Sequence, residues 1–202
     1  MRGEWTDNWQ TRSFLRSWGS NEVLSQLPSR RSQLEELFQH RKRPVGINWR
    51  MDETYIRVTG EWRYLYRAVD NTGQTIDFLL AEHQDTAAAL RFLTQAIRRH
   101  GVAETITIDG SDANEAAINR DHEAHGTHIM IRQVKYLHNM IEQDHRAVKR
   151  VTRPMLGFTS LAAAHATLVG IELMHMLKKG PLVGGDGAEG LTPVKQFYAL
   201  AA

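Results

Sequence analysis

Three acidic residues stand in segments whose composition predicts different secondary structure. Asp52 and Asp109 lie in or at the end of WRMDETYIRV and ETITID, runs of β-branched and aromatic residues that are typical of strands. Glu142 lies in HNMIEQDHRAVKR, which has helical character. Two strand-borne aspartates and a helix-borne glutamate can converge on a pair of divalent metal ions, which in-line attack on a phosphodiester requires. The three acids therefore predict an enzyme that processes nucleic acid.

Two of these acids have an acidic neighbour that competes for the same role. Glu53 follows Asp52 directly, and only one of the pair can face a common site because adjacent strand residues point to opposite faces. Asp144 projects roughly 160–200° away from Glu142 on a helix. Each acid also fits an ordinary surface carboxylate. Mg²⁺ needs only a few carboxylates from separate elements because it keeps several waters.

A basic stripe follows the glutamate. Arg146, Lys149 and Arg153 stand four, seven and eleven positions after Glu142, so a helix would place all four on one face. Such a stripe suits a metal site beside a phosphate backbone, although the spacing equally fits a Glu–Arg surface pair. Arg150 adds to this second basic cluster, while a first cluster comprises Arg30, Arg31, Arg41, Lys42 and Arg43. Because the net charge is only +2, we expect any DNA-binding surface to be confined to these basic clusters.

Composition narrows the class of protein. A chain of 202 residues that is 42% hydrophobic can bury one substantial core. The absence of cysteine excludes disulfides, thiolate metal sites and a cysteine nucleophile, and it suits a reducing cytosol. The amino terminus has no apolar signal-peptide core. The longest stretch without charged residues, 154–171, contains Pro154, Gly157 and several polar residues, which favours a buried helix over a membrane span. We expect a cytoplasmic protein with no membrane partner.

The pattern along the chain predicts an α/β domain with a mixed sheet. Strand-like segments occupy about 49–58, 61–70, 74–82, 104–109 and 128–134. One helix is expected after Asp85, a short one from Ser111 or Asp112 to Ile118, and two long ones at about 139–152 and 159–179. Residues 1–46 form an atypical amino-terminal segment, 47–180 the core, and 181–202 a glycine-rich linker with a short terminal helix.

From about residue 41 to the carboxyl end, the chain resembles the transposases of the IS-six group of bacterial insertion sequences. WRMDETYIRVTGEWRYLYRAVDNTG, TIDGSDANEAAI and YLHNMIEQDHRAVKRVTRP carry the resemblance. It implies a ribonuclease-H-like fold with a mixed five-stranded sheet flanked by helices, similar to the catalytic core of retroviral integrases. It also implies a Mg²⁺-dependent polynucleotidyl transferase, in which Mn²⁺ would substitute.

The resemblance also implies roles for individual residues. Asp52, Asp109 and Glu142 match the catalytic, metal-binding triad of the family, and Lys149 matches its basic residue seven positions after the glutamate. The DNA-binding residues expected from the basic stripe are Arg146, Lys149, Arg150 and Arg153. The implied partners are transposon ends, target DNA and a second transposase chain, either a homo-oligomer or a full-length copy, at the bacterial nucleoid.

Two departures from the family pattern suggest a truncated or rearranged copy with an intact core. Residues 1–40 lack a recognisable helix-turn-helix pattern, and Gly110 follows Asp109 where a larger, often basic residue is expected. The leading hypothesis is cleavage and transfer of DNA strands during transposition. The alternatives are a non-catalytic core that regulates by binding DNA or transposase, and a stand-alone nuclease for RNA–DNA hybrids.

Overall fold

The computed structural model describes residues 44–134, 145–146, 148–150, 152 and 157–179. All but residues 44–46 of the predicted amino-terminal segment, and the whole of the predicted linker and terminal helix, lie outside the described residues. The chain divides into two compact units. One comprises Pro44–Lys149 and Gly157–His165, and the other comprises Met1–Arg43, Arg150–Leu156 and Ala166–Ala202. The first unit contains the whole sheet.

Five strands form one mixed sheet in the order β3-β2-β1-β4-β5. The strands are β1 (Asn48–Val58), β2 (Glu61–Asp70), β3 (Thr75–Ala81), β4 (Thr105–Ile108) and β5 (Met130–Gln133). The first three strands form an antiparallel meander, whereas β4 is parallel to both β1 and β5. The predicted mixed five-stranded sheet and the ribonuclease-H-like fold are confirmed.

Local turn chemistry explains both connections within the meander. Thr59 and Gly60 link β1 to β2 with φ angles of 50° and 83°, and a two-residue hairpin of type I′ requires positive φ at both positions. The turn after β2 is organised by Asp70, whose Oδ1 accepts hydrogen bonds from the backbone N–H groups of Thr72 and Gln74. Burial raises the pKa of Asp70, but hydrogen bonds from Gly46, Thr72 and Gln74 outweigh it and hold that pKa below its usual value.

Helix α1 (Thr86–His100) begins and ends where the sequence predicts. The Asp85 side chain caps it by accepting a hydrogen bond from the Ala88 N–H at 2.7 Å, and Gly101 follows the last turn with φ 85°. Its buried face consists of Ala88, Ala89, Phe92, Leu93 and Ala96. This face covers the side of the sheet that carries Trp49, Met51, Tyr66, Ile106 and Ile108.

Helix α2 (Asp112–His125) is longer than predicted, since it ends at His125 rather than at Ile118. The next core-facing position after Ile118 is a polar residue, Asp121, which is 2% exposed. Asp121 is satisfied by His125 Nδ1 at 2.9 Å and by the Thr127 hydroxyl at 2.8 Å. The helix therefore continues through a buried polar contact that an apolar periodicity does not detect.

The last described helix, α3 (Leu161–Lys179), agrees with the predicted 159–179. Just before it, Phe158 pairs in parallel with Val58 beyond the end of β4, so this stretch extends the edge of β1. Residues 145–146, 148–150 and 152 are also helical, within the predicted helix 139–152. Across the described part of the chain, no helix combines the length and apolar character needed to span a bilayer.

Candidate active site

The register between β1 and β4 relates two of the predicted acids. The parallel pairs are Asn48 with Thr105, Trp49 with Ile106, and Arg50 with Thr107, a constant offset of 57 positions (105 − 48 = 57). Asp52 and Asp109 have the same offset (109 − 52 = 57) and stand two positions beyond the last of these pairs. Asp52 lies within β1, whereas Asp109 directly follows β4. The register therefore directs the two aspartates towards the same region of the sheet.

The alternation of side chains along β1 fixes the face of Asp52. Met51 and Ile108 are almost completely buried in the core beneath α1 and α2. Asp52 follows Met51 within β1, so the strand period of two assigns it to the opposite face, and Asp109 follows Ile108 at the first position after β4. Asp109 is exposed, whereas Asp52 is largely covered, with 16% of its side chain accessible.

The covering of Asp52 comes in part from a histidine that the sequence did not single out. His145 Nδ1 lies 3.5 Å from Asp52 Oδ2, and only 8% of the His145 side chain is exposed. The other oxygen, Oδ1, accepts a hydrogen bond from the Glu53 backbone N–H at 2.8 Å. His145 stands three positions after Glu142, which is the spacing that marks a shared helical face, and this signal could have identified it. Glu142 itself lies outside the described residues.

Glu53 makes different contacts from its neighbour Asp52. Its Oε1 accepts hydrogen bonds from Gln84 Nε2 at 2.5 Å and from Ser111 Oγ at 3.2 Å. Its Oε2 accepts one from Asn114 Nδ2 at 2.8 Å. Ser111 is the N-cap of α2 but makes no side-chain cap bond. Glu53 therefore ties β1 to the start of α2 instead of facing the aspartate pair.

This tie matters because the same segment carries Asp109. Asp109 precedes Ser111 by two positions, so the Glu53–Ser111 contact limits how far the Asp109 loop can move from β1. Between them, Gly110 adopts φ 86°, a left-handed conformation in which any side chain is strained. The glycine that departs from the family pattern thus suits the turn that this backbone makes.

Tyr66 lies opposite Glu53 on β2 and is fully buried. Burial, with a smaller contribution from the charge of Glu53, raises the pKa of Tyr66 to about 12. Its hydroxyl donates to the Asp85 carbonyl at 3.4 Å. Tyr66 is therefore protonated at neutral pH and serves packing rather than acid–base chemistry.

The predicted basic residues are described only in part. Lys149 is half-buried, and its Nζ lies 5.2 Å from the centroid of the Tyr55 ring. Arg146 is exposed in the same unit, and Arg150 is exposed in the second unit. Arg153 lies outside the described residues. Because His145 and Lys149 are four positions apart, one helical face reaches β1 at Asp52 and again at Tyr55.

The donor types fit a divalent metal ion. Asp52 and Asp109 supply carboxylate oxygens, the ligands that Mg²⁺ prefers, and they share the offset of the β1–β4 register. Within the described ranges, no cluster of three or more histidine, aspartate or glutamate residues could hold a metal ion. A third carboxylate would therefore have to come from a residue outside those ranges.

The chain is similar to transposases and, in fold, to retroviral integrase cores. A family model described as a DDE domain matches residues 46–181. The Staphylococcus aureus transposases for the insertion sequence-like element IS431mec and for the insertion sequence element IS257 in transposon Tn4003 are each 34% identical over 154 residues. Each alignment covers 72% of this chain and 64% of the relative, so the chain spans less than two thirds of their length.

Two solved structures illustrate the similarity in fold. The catalytic core domain of BIV integrase is 19% identical with a TM-score of 0.46, and the match covers 76% of this chain and 95% of that one. The HTLV-2 integrase catalytic core in complex with magnesium is 16% identical with a TM-score of 0.44, covering 54% of this chain and 70% of that one.

Proposed function

Because the chain belongs to the DDE-domain family of insertion-sequence transposases, we propose that it cleaves DNA at the ends of an insertion sequence and joins them to target DNA. The observation that supports this proposal is the β1–β4 register, which, continued beyond Arg50 and Thr107, would bring Asp52 and Asp109 to adjacent positions. Two carboxylates on adjacent parallel segments could hold the divalent metal ions that phosphoryl transfer uses.

The third acid in this proposal is Glu142. It precedes His145 by three positions, and His145 lies 3.5 Å from Asp52. Residues three apart on an α-helix are neighbours on its surface, so a helix continuing back to 142 would present Glu142 to the same aspartate. This spacing supports Glu142 over Asp144, which would project to another side of that helix.

The proposed cofactor is Mg²⁺, with Mn²⁺ as a substitute, held by Asp52, Asp109 and Glu142. When bound, such ions activate water for attack and stabilise the charge on the attacking and leaving oxygens. The protein's own contribution is orientation. The Glu53 N–H and the His145 ring hold the two oxygens of Asp52, and Glu53 positions the loop that carries Asp109.

The proposed reaction has two steps without a covalent enzyme intermediate. In the first, water attacks the phosphorus at the element end, and the bond to the 3′-oxygen breaks to leave a free 3′-hydroxyl. In the second, this hydroxyl attacks a phosphodiester of target DNA and displaces its 3′-oxygen. Lys149, Arg146 and Arg153 are proposed to bind the phosphates, because one helical stripe would offer these cations next to the acids. Arg150, from the same basic cluster, is proposed to add a further phosphate contact.

The proposed partners are the two DNA substrates and a second transposase chain, at the bacterial nucleoid. Joining two element ends to one target requires two sets of acids, which a homo-oligomer or a full-length transposase would supply. The chain's own acids provide one such set in this proposal.

A strand-transfer assay on a labelled element end, with Mg²⁺ or Mn²⁺, tests the proposal. We expect joined products with the unmodified chain, and none with Asp52→Asn, Asp109→Asn or Glu142→Gln. Glu123→Gln on the exposed side of α2 is the matched control and should retain activity. Metal-dependent cleavage of RNA–DNA hybrids alone would indicate a nuclease. Inhibition of full-length transposase by a chain that joins nothing would indicate the regulator.

A further inference from the structure

An exposed pair of aromatic side chains lies at the hairpin end of β1 and β2. Tyr55 is 54% exposed and Trp62 is 57% exposed. Their rings meet edge to face, with centroids 5.1 Å apart and planes at 79°. Large aromatic residues are normally buried for most of their surface. This aromatic platform, consisting of Tyr55 and Trp62, therefore presents flat apolar area to whatever approaches the hairpin.

Cations flank both members of the aromatic platform. The Arg57 guanidinium carbon lies 6.0 Å from the centroid of the Trp62 ring. Lys149 Nζ lies 5.2 Å from the centroid of the Tyr55 ring. This surface combines aromatic rings with two positive charges. A ligand that fits it would have flat rings to stack on the aromatic side chains and negative charges to pair with the cations. A nucleotide has both, and single-stranded DNA supplies several in succession.

The aromatic platform is linked to Asp52 through one helical segment. Tyr55 follows Asp52 by three residues on β1, a separation of about 10 Å along an extended strand, and the strand period of two places it on the opposite face. His145 contacts Asp52, and Lys149, four positions later on the same helical face, reaches the Tyr55 ring. A DNA strand that contacts Lys149 would therefore also lie beside the aromatic platform.

We propose that Tyr55 and Trp62 form a stacking site for bases of an unpaired DNA strand, with Arg57 and Lys149 bound to its phosphates. This stacking site rests on the proposed function only for the identity of the DNA strand, which would be the unpaired strand that extends from the cleaved element end. Stacking itself requires neither metal nor chemistry, so it is measurable separately from strand transfer.

The test is binding of a fluorescently labelled single-stranded oligonucleotide to the full chain in EDTA, followed by anisotropy. Replacing one stacked aromatic residue costs about 5- to 150-fold in affinity, so Trp62→Leu should weaken binding within this range. Trp62→Phe keeps a ring and should retain most of the affinity. Met130→Ala is the matched control, because Met130 is a 64% exposed hydrophobic residue on β5, and binding should not change.

An abasic oligonucleotide, which has the same phosphates without bases, separates stacking from other effects. The unmodified chain and Trp62→Leu should bind this strand equally. If Trp62→Leu loses affinity equally for the normal and the abasic oligonucleotide, the proposal is overturned. A sedimentation coefficient of Trp62→Leu that differs from that of the unmodified chain would also overturn it, because it would identify the aromatic platform as a self-association surface. Circular dichroism checks folding, and Tyr55→Leu provides the same comparison if Trp62→Leu does not fold.

The two proposals fail in different ways. If Trp62→Leu loses oligonucleotide binding and the unmodified chain shows no strand transfer, the stacking site is supported and the transposase activity is refuted. Strand transfer that depends on Asp52, with undiminished binding in Trp62→Leu, would support the activity and refute the stacking site.

Discussion

Removal of the Glu53 carboxylate should destabilise the fold and displace the loop that carries Asp109. Glu53→Ala removes three hydrogen-bond acceptor contacts, to Gln84, Ser111 and Asn114. A hydrogen bond to a charged group contributes about 1.5–3 kcal/mol, and an exposed one contributes less. The Gln84 contact is exposed, whereas Asn114 is fully buried and would lose the acceptor for its amide. We therefore expect a loss of about 2–4 kcal/mol in unfolding free energy.

Glu53→Gln should cost distinctly less, about 1 kcal/mol. The glutamine oxygen can still accept from Gln84 and Ser111. The amide nitrogen of the new glutamine would face Asn114 Nδ2, which is also a donor. Rotation of the Asn114 side-chain amide would instead turn its acceptor, Oδ1, towards the glutamine nitrogen. Within the described part of the chain, Asn114 Oδ1 has no hydrogen-bond partner, so this rotation breaks no existing bond.

Urea denaturation of the two variants measures these differences, with Glu123→Gln as a surface control within about 0.5 kcal/mol of the unmodified chain. Strand transfer by folded Glu53→Ala should fall by about 10- to 100-fold, since a displacement of 1 Å at an active site has effects of that size. An alanine variant as stable as the unmodified chain, or a glutamine variant as unstable as alanine, would refute the reasoning.

Four further predictions concern other parts of the molecule. The pKa of Asp70 in the folded chain is held below its ordinary 3.8, so ionised Asp70 stabilises the fold fully above pH 3.8, and this stabilisation is lost as the pH falls through the folded-state pKa. The urea midpoint of Asp70→Asn should therefore depend less on acid pH than that of the unmodified chain. Gly110→Ala should destabilise by about 1 kcal/mol or more in thermal unfolding, because φ is 86° there. Neutralising Lys149 or Arg146 should lower the salt slope of DNA binding by about 0.9, and unchanged slopes would favour a surface ion pair. Finally, because residues 1–40 show no helix-turn-helix pattern, the ratio of the affinity for an element end to the affinity for random duplex DNA should be well below about 10³. Tight binding specific to an element end would show that residues 1–40 contain a recognition element.

Local signals in the sequence determined most of the described secondary structure. The break between the first two strands at 59–60 and the start of a helix after Asp85 were predicted correctly, because turn formation and helix capping depend on residues only a few positions apart. Strand periodicity also identified the five strands of the mixed sheet. The end of α2 was predicted wrongly, because burial of Asp121 depends on partners that only the folded chain brings near.

For the candidate site, residue types selected Asp52 and Asp109, and these assignments stay predictions, as do those of Glu142 and Arg153. The different contacts of Asp52 and Glu53 came only from the tertiary structure, because it places Ser111 and Asn114 against Glu53 and His145 against Asp52. A strand pattern specifies which residues share a face, whereas the partners on that face come from segments 58 to 93 positions away (145 − 52 = 93), and only packing selects them.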